Sequence, residues 1–396
     1  MKNLETLIQE LCPDGVEFVK LGEVGTFYGG LSGKSKADFT DGNAKFITYM
    51  NVYSNPSLDI NIEDKVQIKE GEKQNTVEYG DILFTGSSET PDECGMTSVL
   101  TEQTDEKLYL NSFCFGYRFN DVDSISPGYM KHLFRSHSLR KALAKTASGV
   151  TRFNVSKKKV AKIEIPLPPL EVQTEIVRIL DKFTSLEAEL EAELDCRKRQ
   201  YEYYRDKLLS FENAGGQEVE WKKMSEVCDI NRGKRVVRKE LHESGEFPVF
   251  QNSLIPLGYY NEYNYPANTP FVISAGAAGN VGFCNKNFWA ADDCLCLTCS
   301  DIVISKFVYY VLMTKQNYIL SRVRKASIPR LSRTVIEKLP IPIPPLAEQQ
   351  RIVSILDRFE SLTTSLQSGL PAEIAARRQQ YEYYRDKLLT FKRKAS

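Results

Sequence analysis

Histidine is nearly absent: His132, His137 and His242 are the only three in 396 residues. None has a partner that would make a nucleophile and base set, so surface or nucleic-acid-facing roles are expected for them. Long apolar runs are missing too. Nothing approaches the ~18 residues that span a bilayer, and the start Met1-Lys2-Asn3-Leu4-Glu5 lacks a signal-peptide core. A cytoplasmic chain with no membrane partner is expected. The nine cysteines, an odd number, argue for reduced thiols over a disulfide framework. Cys294-x-Cys296-x2-Cys299, with Cys284 upstream, lacks paired Cys-x2-Cys spacing and alternates as a buried strand would, so no metal site is expected. There is no Asn-Pro-Pro-Tyr amino-methylation motif, and Asn55-Pro56-Ser57 reads as a turn. The run from Tyr28 to Ser35 ends like a phosphate-binding loop, but Tyr28 stands where that loop needs glycine. No catalytic residue is assigned, and no cofactor is expected on this chain.

What the sequence does contain is a duplication. Gln200-Tyr201-Glu202-Tyr203-Tyr204-Arg205-Asp206-Lys207-Leu208-Leu209 recurs unchanged as Gln380 through Leu389. Each copy closes a helix-forming segment opened by a proline-rich run, Ile165-Pro166-Leu167-Pro168-Pro169-Leu170 in one case and Ile341-Pro342-Ile343-Pro344-Pro345-Leu346 in the other. A separation of about 180 residues is too long for a solenoid unit and suits two domains, each followed by the same helical element. Val219-Glu220-Trp221 also matches Val16-Glu17-Phe18, whereas the domain interiors correspond little.

The expected fold class is α+β with an internal pseudo-two-fold. Two globular domains of mixed α/β type with small sheets alternate with two long helices that pack as an antiparallel coiled coil. The divisions are an amino-terminal helix (1–15), a first globular domain (16–164), a central helical spacer (165–213), a second globular domain (214–340) and a carboxy-terminal helical spacer (341–396). Strand-like runs fall at 45–52, 80–85 and 113–119, and one helix is expected over 128–145. Apolar residues recur at threes and fours from Ile176 to Phe211 and again from Ile352 to Phe391, a coiled-coil type of stripe. Between Phe359 and Tyr381 the second copy is four residues longer than the first between Phe183 and Tyr201, and Ser368-Gly369-Leu370-Pro371 should kink or break it. At 1.5 Å per residue the first helix makes a rod of roughly 60 Å, more than the ~34 Å of one duplex turn.

The zero net charge hides two basic blocks. From Tyr129 to Ile163 there are ten Lys and Arg with no acid, and from Ile302 to Ile336 there are seven, again with none. Such footprints attract phosphates. Guanidinium groups suit guanine, amides suit adenine, and clustered lysines hold phosphates. Candidate DNA-binding residues in the first domain are Lys34, Lys36, Arg152, Asn154, Lys157, Lys158 and Lys159. In the second they are Arg232, Lys234, Arg235, Arg238, Arg322, Arg324, Lys325, Arg330 and Arg333. Arg152 and Arg330 fall in related contexts, after Ala147-Ser148-Gly149 and Ala326-Ser327.

The twin motifs and their alternation with two globular domains resemble the specificity subunit of type I restriction-modification systems, over nearly the whole chain. The loops Phe84 to Thr90 and Gly276 to Gly282 resemble loops of that family's target-recognition domains. The resemblance implies a non-catalytic subunit whose two domains each read one half of a bipartite, asymmetric site in double-stranded DNA. It implies that the helices set the gap between halves and bind partners, which assigns Phe183, Leu190, Leu194, Tyr201, Tyr204, Phe359, Leu366, Tyr381 and Tyr384 to the spacer. The implied partners are two methyltransferase subunits and two restriction and translocase subunits, to which S-adenosylmethionine, ATP and Mg belong. Glu187-Ala188-Glu189-Leu190, repeated as Glu191-Ala192-Glu193-Leu194, resembles the four-residue units that alter spacer length in this family. The alternative is a Mg-dependent DNA nuclease with a coiled-coil dimerisation arm, because Pro91-Asp92 followed by Asp105-Glu106-Lys107 fits a loose metal-nuclease pattern.

Overall fold

A computed structural model describes residues 4–211, 219–364 and 369–394, apart from the side chain of Arg238. The chain divides into two compact units, residues 1–189 with 374–396 and residues 190–373. None of the described helices is long and apolar enough to cross a membrane.

Each unit is built on the same four-stranded antiparallel sheet. In the first unit the order is Gly25–Gly29, Cys114–Phe119, Ile82–Thr85, Thr97–Val99; in the second it is Cys228–Arg232, Cys294–Cys299, Thr269–Ile273, Val281–Cys284. Ile82–Thr85 and Thr269–Ile273 are buried at every position, which is why both read as continuous apolar runs and not as alternating ones. A further parallel pairing also repeats, Phe46 with Tyr109 in one unit and Val249 with Trp289 in the other. Each proline-rich run becomes a strand paired with only one neighbour, Glu164–Pro166 on Phe18–Lys20 and Pro340–Ile343 on Glu220–Lys223. A two-stranded ribbon tolerates proline because the missing N–H can face away from the partner.

The central helix is continuous over Leu170–Ser210. Its counterpart is not: Leu346–Thr364 and Leu370–Leu388 are separate helices, with Gly369 at φ +82° and Pro371 just inside the second. The expected second rod is therefore broken near Gly369 and Pro371. Inside each unit the helical pieces run antiparallel. In the first, Phe183 stacks on Tyr384 at 5.3 Å while Glu187 pairs with Arg378 at 2.6 Å. In the second, Tyr204 stacks on Phe359 at 5.8 Å, and Tyr201 and Leu208 pack on the cluster that holds Ile352, Val353 and Leu356.

A buried glutamine ties each helix start to its sheet domain. Gln173 donates to the carbonyls of Pro168 and Ser124 at 2.8 and 3.0 Å and accepts from the Ser126 amide at 2.8 Å. Gln349 repeats the pattern with Pro344, Ile302 and Ile304, at 2.8, 3.0 and 2.8 Å. About two turns further along, the copies diverge. Asp181 accepts from Nε2 of buried His132 at 2.7 Å, while Nδ1 takes the Tyr381 hydroxyl at 2.9 Å. That network fits a neutral imidazole protonated on Nε2, and burial lowers its pKa below the ordinary value. At the matching place Tyr310 donates to Asp357 at 2.5 Å.

Two local expectations are corrected. Residues 45–52 are not one strand: Ala44–Ile47 is followed by a helix, Tyr49–Ser54, begun by Thr48, whose hydroxyl accepts from the Asn51 amide. The helix expected over 128–145 is two helices, Pro127–Leu133 and His137–Ala144. Between them the Arg135 guanidinium turns inward to the carbonyls of Thr97, Val52 and Tyr53, and the Ser136 hydroxyl bonds back to Leu133.

Candidate nucleic-acid interface

In both units the chain leaving the inner sheet strand meets the end of a basic block. Val155 N–H donates to Gly86 O at 2.9 Å, and Asn154 pairs with Ser87 and Phe153 with Ser88. In the second unit Leu331 N–H donates to Ser274 O at 2.8 Å, and Arg330 pairs with Ala275. The loops demand glycine. A Cβ on Gly86 would lie 2.6 Å from the Phe113 carbonyl, and Gly276 has φ +82° with the Asn252 side chain 2.8 Å from where its Cβ would stand.

Around the first loop the surface is both apolar and charged. Val150 is 91% exposed and Phe113 60%. Arg152 lies over the Phe113 ring at 5.7 Å and donates to the Ser87 hydroxyl at 3.0 Å. Next to it is a cleft of about 500 Å³ lined by Tyr49, Tyr53, Ser87, Glu93, Phe113 and Arg152. Tyr49 and Tyr53 stack at 6.1 Å. Lys157, Lys158 and Lys159 are exposed on the turn of helix that follows, with Lys157 over the Phe115 ring at 5.1 Å. The chain that meets the second loop has exposed Ile328 beside exposed Arg324, Lys325 and Arg330. Arg322 is exposed and lies over the Tyr318 ring at 4.8 Å. Arg232, Lys234 and Arg235 are exposed on a separate strand end, where the Trp289 indole holds the Lys234 carbonyl at 2.8 Å.

Several basic residues do other work. The Lys34 side chain is only 6% exposed, 2.6 Å from Glu72 and bonded to the Gln67 carbonyl, so it is not available to a phosphate as expected; Lys36 is exposed. Lys34 and its neighbours also hold the Glu72 carboxyl down to about 2. Arg333 pairs with Glu337 at 2.7 Å. Inside the blocks, Lys131 pairs with Asp181, Lys306 with Glu360, and Arg135 and Arg140 donate to backbone carbonyls. A stretch without acids in sequence is thus not a stretch without acids in space. The stacked helix residues Phe183, Tyr204, Phe359 and Tyr384 and the hydrogen-bonded Tyr381 are committed to contacts within their own units. Leu190, Leu194 and Tyr201 are half-buried, and Leu366 lies outside the described residues. Sequence reasoning missed Tyr49, Tyr53 and Phe113. The four-residue spacing of the tyrosines was the available signal for a helix there, and Phe113 had none.

Elsewhere the chemistry is structural. Cys284, Cys294 and Cys296 are buried free thiols, and burial raises the pKa of each. Among the described residues no group of three or more His, Cys, Asp or Glu could hold a metal ion. Glu106 of the loose nuclease pattern is paired with Lys45 at 2.5 Å.

The family described as the type I restriction modification DNA specificity domain matches residues 13–195 and 217–376. The EcoR124I/EcoR124II specificity subunit of Escherichia coli is 36% identical over 258 residues, 58% of this chain and 63% of that one. The crystal structure of the type I restriction-modification S subunit from M. genitalium matches with a TM-score of 0.57 at 17% identity, covering 95% of this chain and 96% of that one. A chain from a structural study of complex assembly and conformational transition in a type I system matches at 0.61 and 19%, covering 95% and 97%. At such identities the structures speak for the fold.

Proposed function

Because the chain belongs to the type I restriction modification DNA specificity family, we propose that it gives such an enzyme its sequence selectivity, each unit reading one half of a split, asymmetric site in duplex DNA. The observation that carries this reading is the repeated junction at Ser87 and Ala275, where the same backbone register presents basic and amide side chains beside an exposed loop. The helical segments set the gap and dock two methyltransferase subunits, and two ATP-driven translocase and nuclease subunits join that core in the cytoplasm. S-adenosylmethionine, ATP and Mg serve those subunits; this chain binds none of them and catalyses no step. No observation favours the self-sufficient nuclease.

The test is a single-molecule methylome of cells expressing the chain with its methyltransferase, set against the methyltransferase alone. Methyladenine at one split motif, appearing only with this chain, is the expected result; a folded complex with no new motif would overturn the proposal. A second expectation concerns the tandem unit in the central helix. Deleting Glu191 to Leu194 removes about 6 Å of helix and should change the gap of the methylated motif by one or two base pairs while leaving both half-sites intact. An unchanged motif would show that the repeat merely propagates helix.

A further inference from the structure

Arg152 and Arg330 look alike in sequence, but the backbone register pairs the residues differently. The bond from Val155 N–H to Gly86 O corresponds to that from Leu331 N–H to Ser274 O. One residue back, Asn154 stands opposite Ser87 and Arg330 opposite Ala275. The third chain in each ribbon follows suit, with Ser148 opposite Asn154 and Arg324 opposite Arg330. Arg330 is therefore the counterpart of Asn154.

Both side chains are exposed and free to meet a ligand. The Asn154 amide makes only a long 3.5 Å contact to the Arg152 carbonyl, and Arg330 forms no side-chain hydrogen bond or ion pair among the described residues. Each is held by backbone pairing on both sides, so its Cα is fixed while its head group is not committed. That is what base readout requires of a side chain, whereas clustered lysines such as Lys157, Lys158 and Lys159 suit phosphates. A carboxamide has one donor and one acceptor side by side, matching N7 and N6 of adenine. A guanidinium has two donors in a fork, matching N7 and O6 of guanine.

Resting on the reading above, we infer that this shared position is a base reader in both units, with Asn154 specifying an adenine in one half-site and Arg330 a guanine in the other. The same scaffold thus serves two targets through one exchanged side chain.

The experiment uses the full complex with its methyltransferase and the split site found by the methylome. Affinity is measured for the parental duplex and for duplexes altered one base pair at a time. The parent should discriminate about ten- to a hundredfold at each of the two base pairs. Arg330→Ala and Arg330→Met should both lose that discrimination at one guanine only, and Asn154→Ala at one adenine of the other half. Discrimination at the untouched half-site stays at the parental level, which certifies folding in each variant; Arg330→Met keeps bulk but has no donor, should alanine fail that control. Equal weakening on every duplex, full retention of discrimination in Arg330→Met, or unchanged discrimination in all three variants would overturn the inference. A parent complex with no split site at all would instead overturn the proposed function.

Discussion

Replacing Arg118 by alanine is expected to destabilise the first unit by about 3–5 kcal/mol, the usual result of leaving a buried charge without its partner. The Asp81 side chain is 1% exposed, and Arg118 grips both of its oxygens, Nε at 2.8 Å and Nη2 at 2.7 Å. Tyr28 donates to the same carboxylate at 2.6 Å, and the Glu78 amide does so at 2.8 Å. Burial together with the adjoining Asp81 raises the Tyr28 hydroxyl far above its ordinary pKa, so it remains a donor. Because Arg118 and Asp81 come from the two neighbouring strands Cys114–Phe119 and Ile82–Thr85, or the turn just before, the loss falls on the centre of the sheet. Hydrogen exchange read by mass spectrometry should report protection of these strands reduced by a factor of roughly 100 to several thousand. Protection within a few-fold of the parent would mean that the pair is dispensable. The triple replacement Arg118→Met, Asp81→Leu and Tyr28→Phe should recover part of the loss, since it removes both charges with their desolvation cost together with the hydroxyl that would otherwise lose its acceptor, and leaves only the Glu78 amide and the Thr76 carbonyl to find water.

The second large effect is expected at the glutamine clamp. Gln349→Leu keeps the volume but strands two carbonyls, Pro344 and Ile302, and the Ile304 amide. A buried group left unpartnered costs about 1–3 kcal/mol, and with the Pro344 carbonyl buried and the other two groups partly buried a total of roughly 2–3 kcal/mol is expected. The consequence should be local. Protection of the Ile304 amide and of the helix Ser305–Thr314 should fall, while the Ser126 amide, held by Gln173, keeps its parental protection. Gln349→Glu is informative because an ionised carboxylate there would be buried facing the carbonyls of Pro344 and Ile302, so at neutral pH its loss of protection should be at least as large as that of leucine, and it should shrink as the pH falls and the protonated acid supplies one donor. Equal protection in the parent and in Gln349→Leu would mean that the helix start is held by apolar packing alone.

Sequence by itself determined much of the plan. A repeat of ten identical residues, twin proline-rich openings and stripes at threes and fours are local patterns, and local patterns specify helices and duplicated frames. The break at Gly369 was legible for the same reason, because proline and glycine act on their own backbone. Sheet order was not legible: Gly25–Gly29 pairs with Cys114–Phe119, far along the chain, and nothing in either segment names the other. Gln173 and Gln349 stand at matching places in the sequence, yet only the fold reveals that they are buried clamps.

Charge was the least legible property. The basic blocks counted residues, whereas electrostatics depends on where each head group ends up. Arg135 and Arg140 point to carbonyls, Lys34 is buried on Glu72, and Lys131 and Lys306 meet acids that lie far away in sequence. The correspondence of Asn154 with Arg330 was half legible: the offset of 176 between Ile165 and Ile341 carries 154 onto 330, whereas local side-chain identity matched Arg152 with Arg330, and the backbone hydrogen bonds decide for the first. Local periodicity is written in the chain; pairing register, burial and the direction of a long cationic side chain are settled only when distant segments meet.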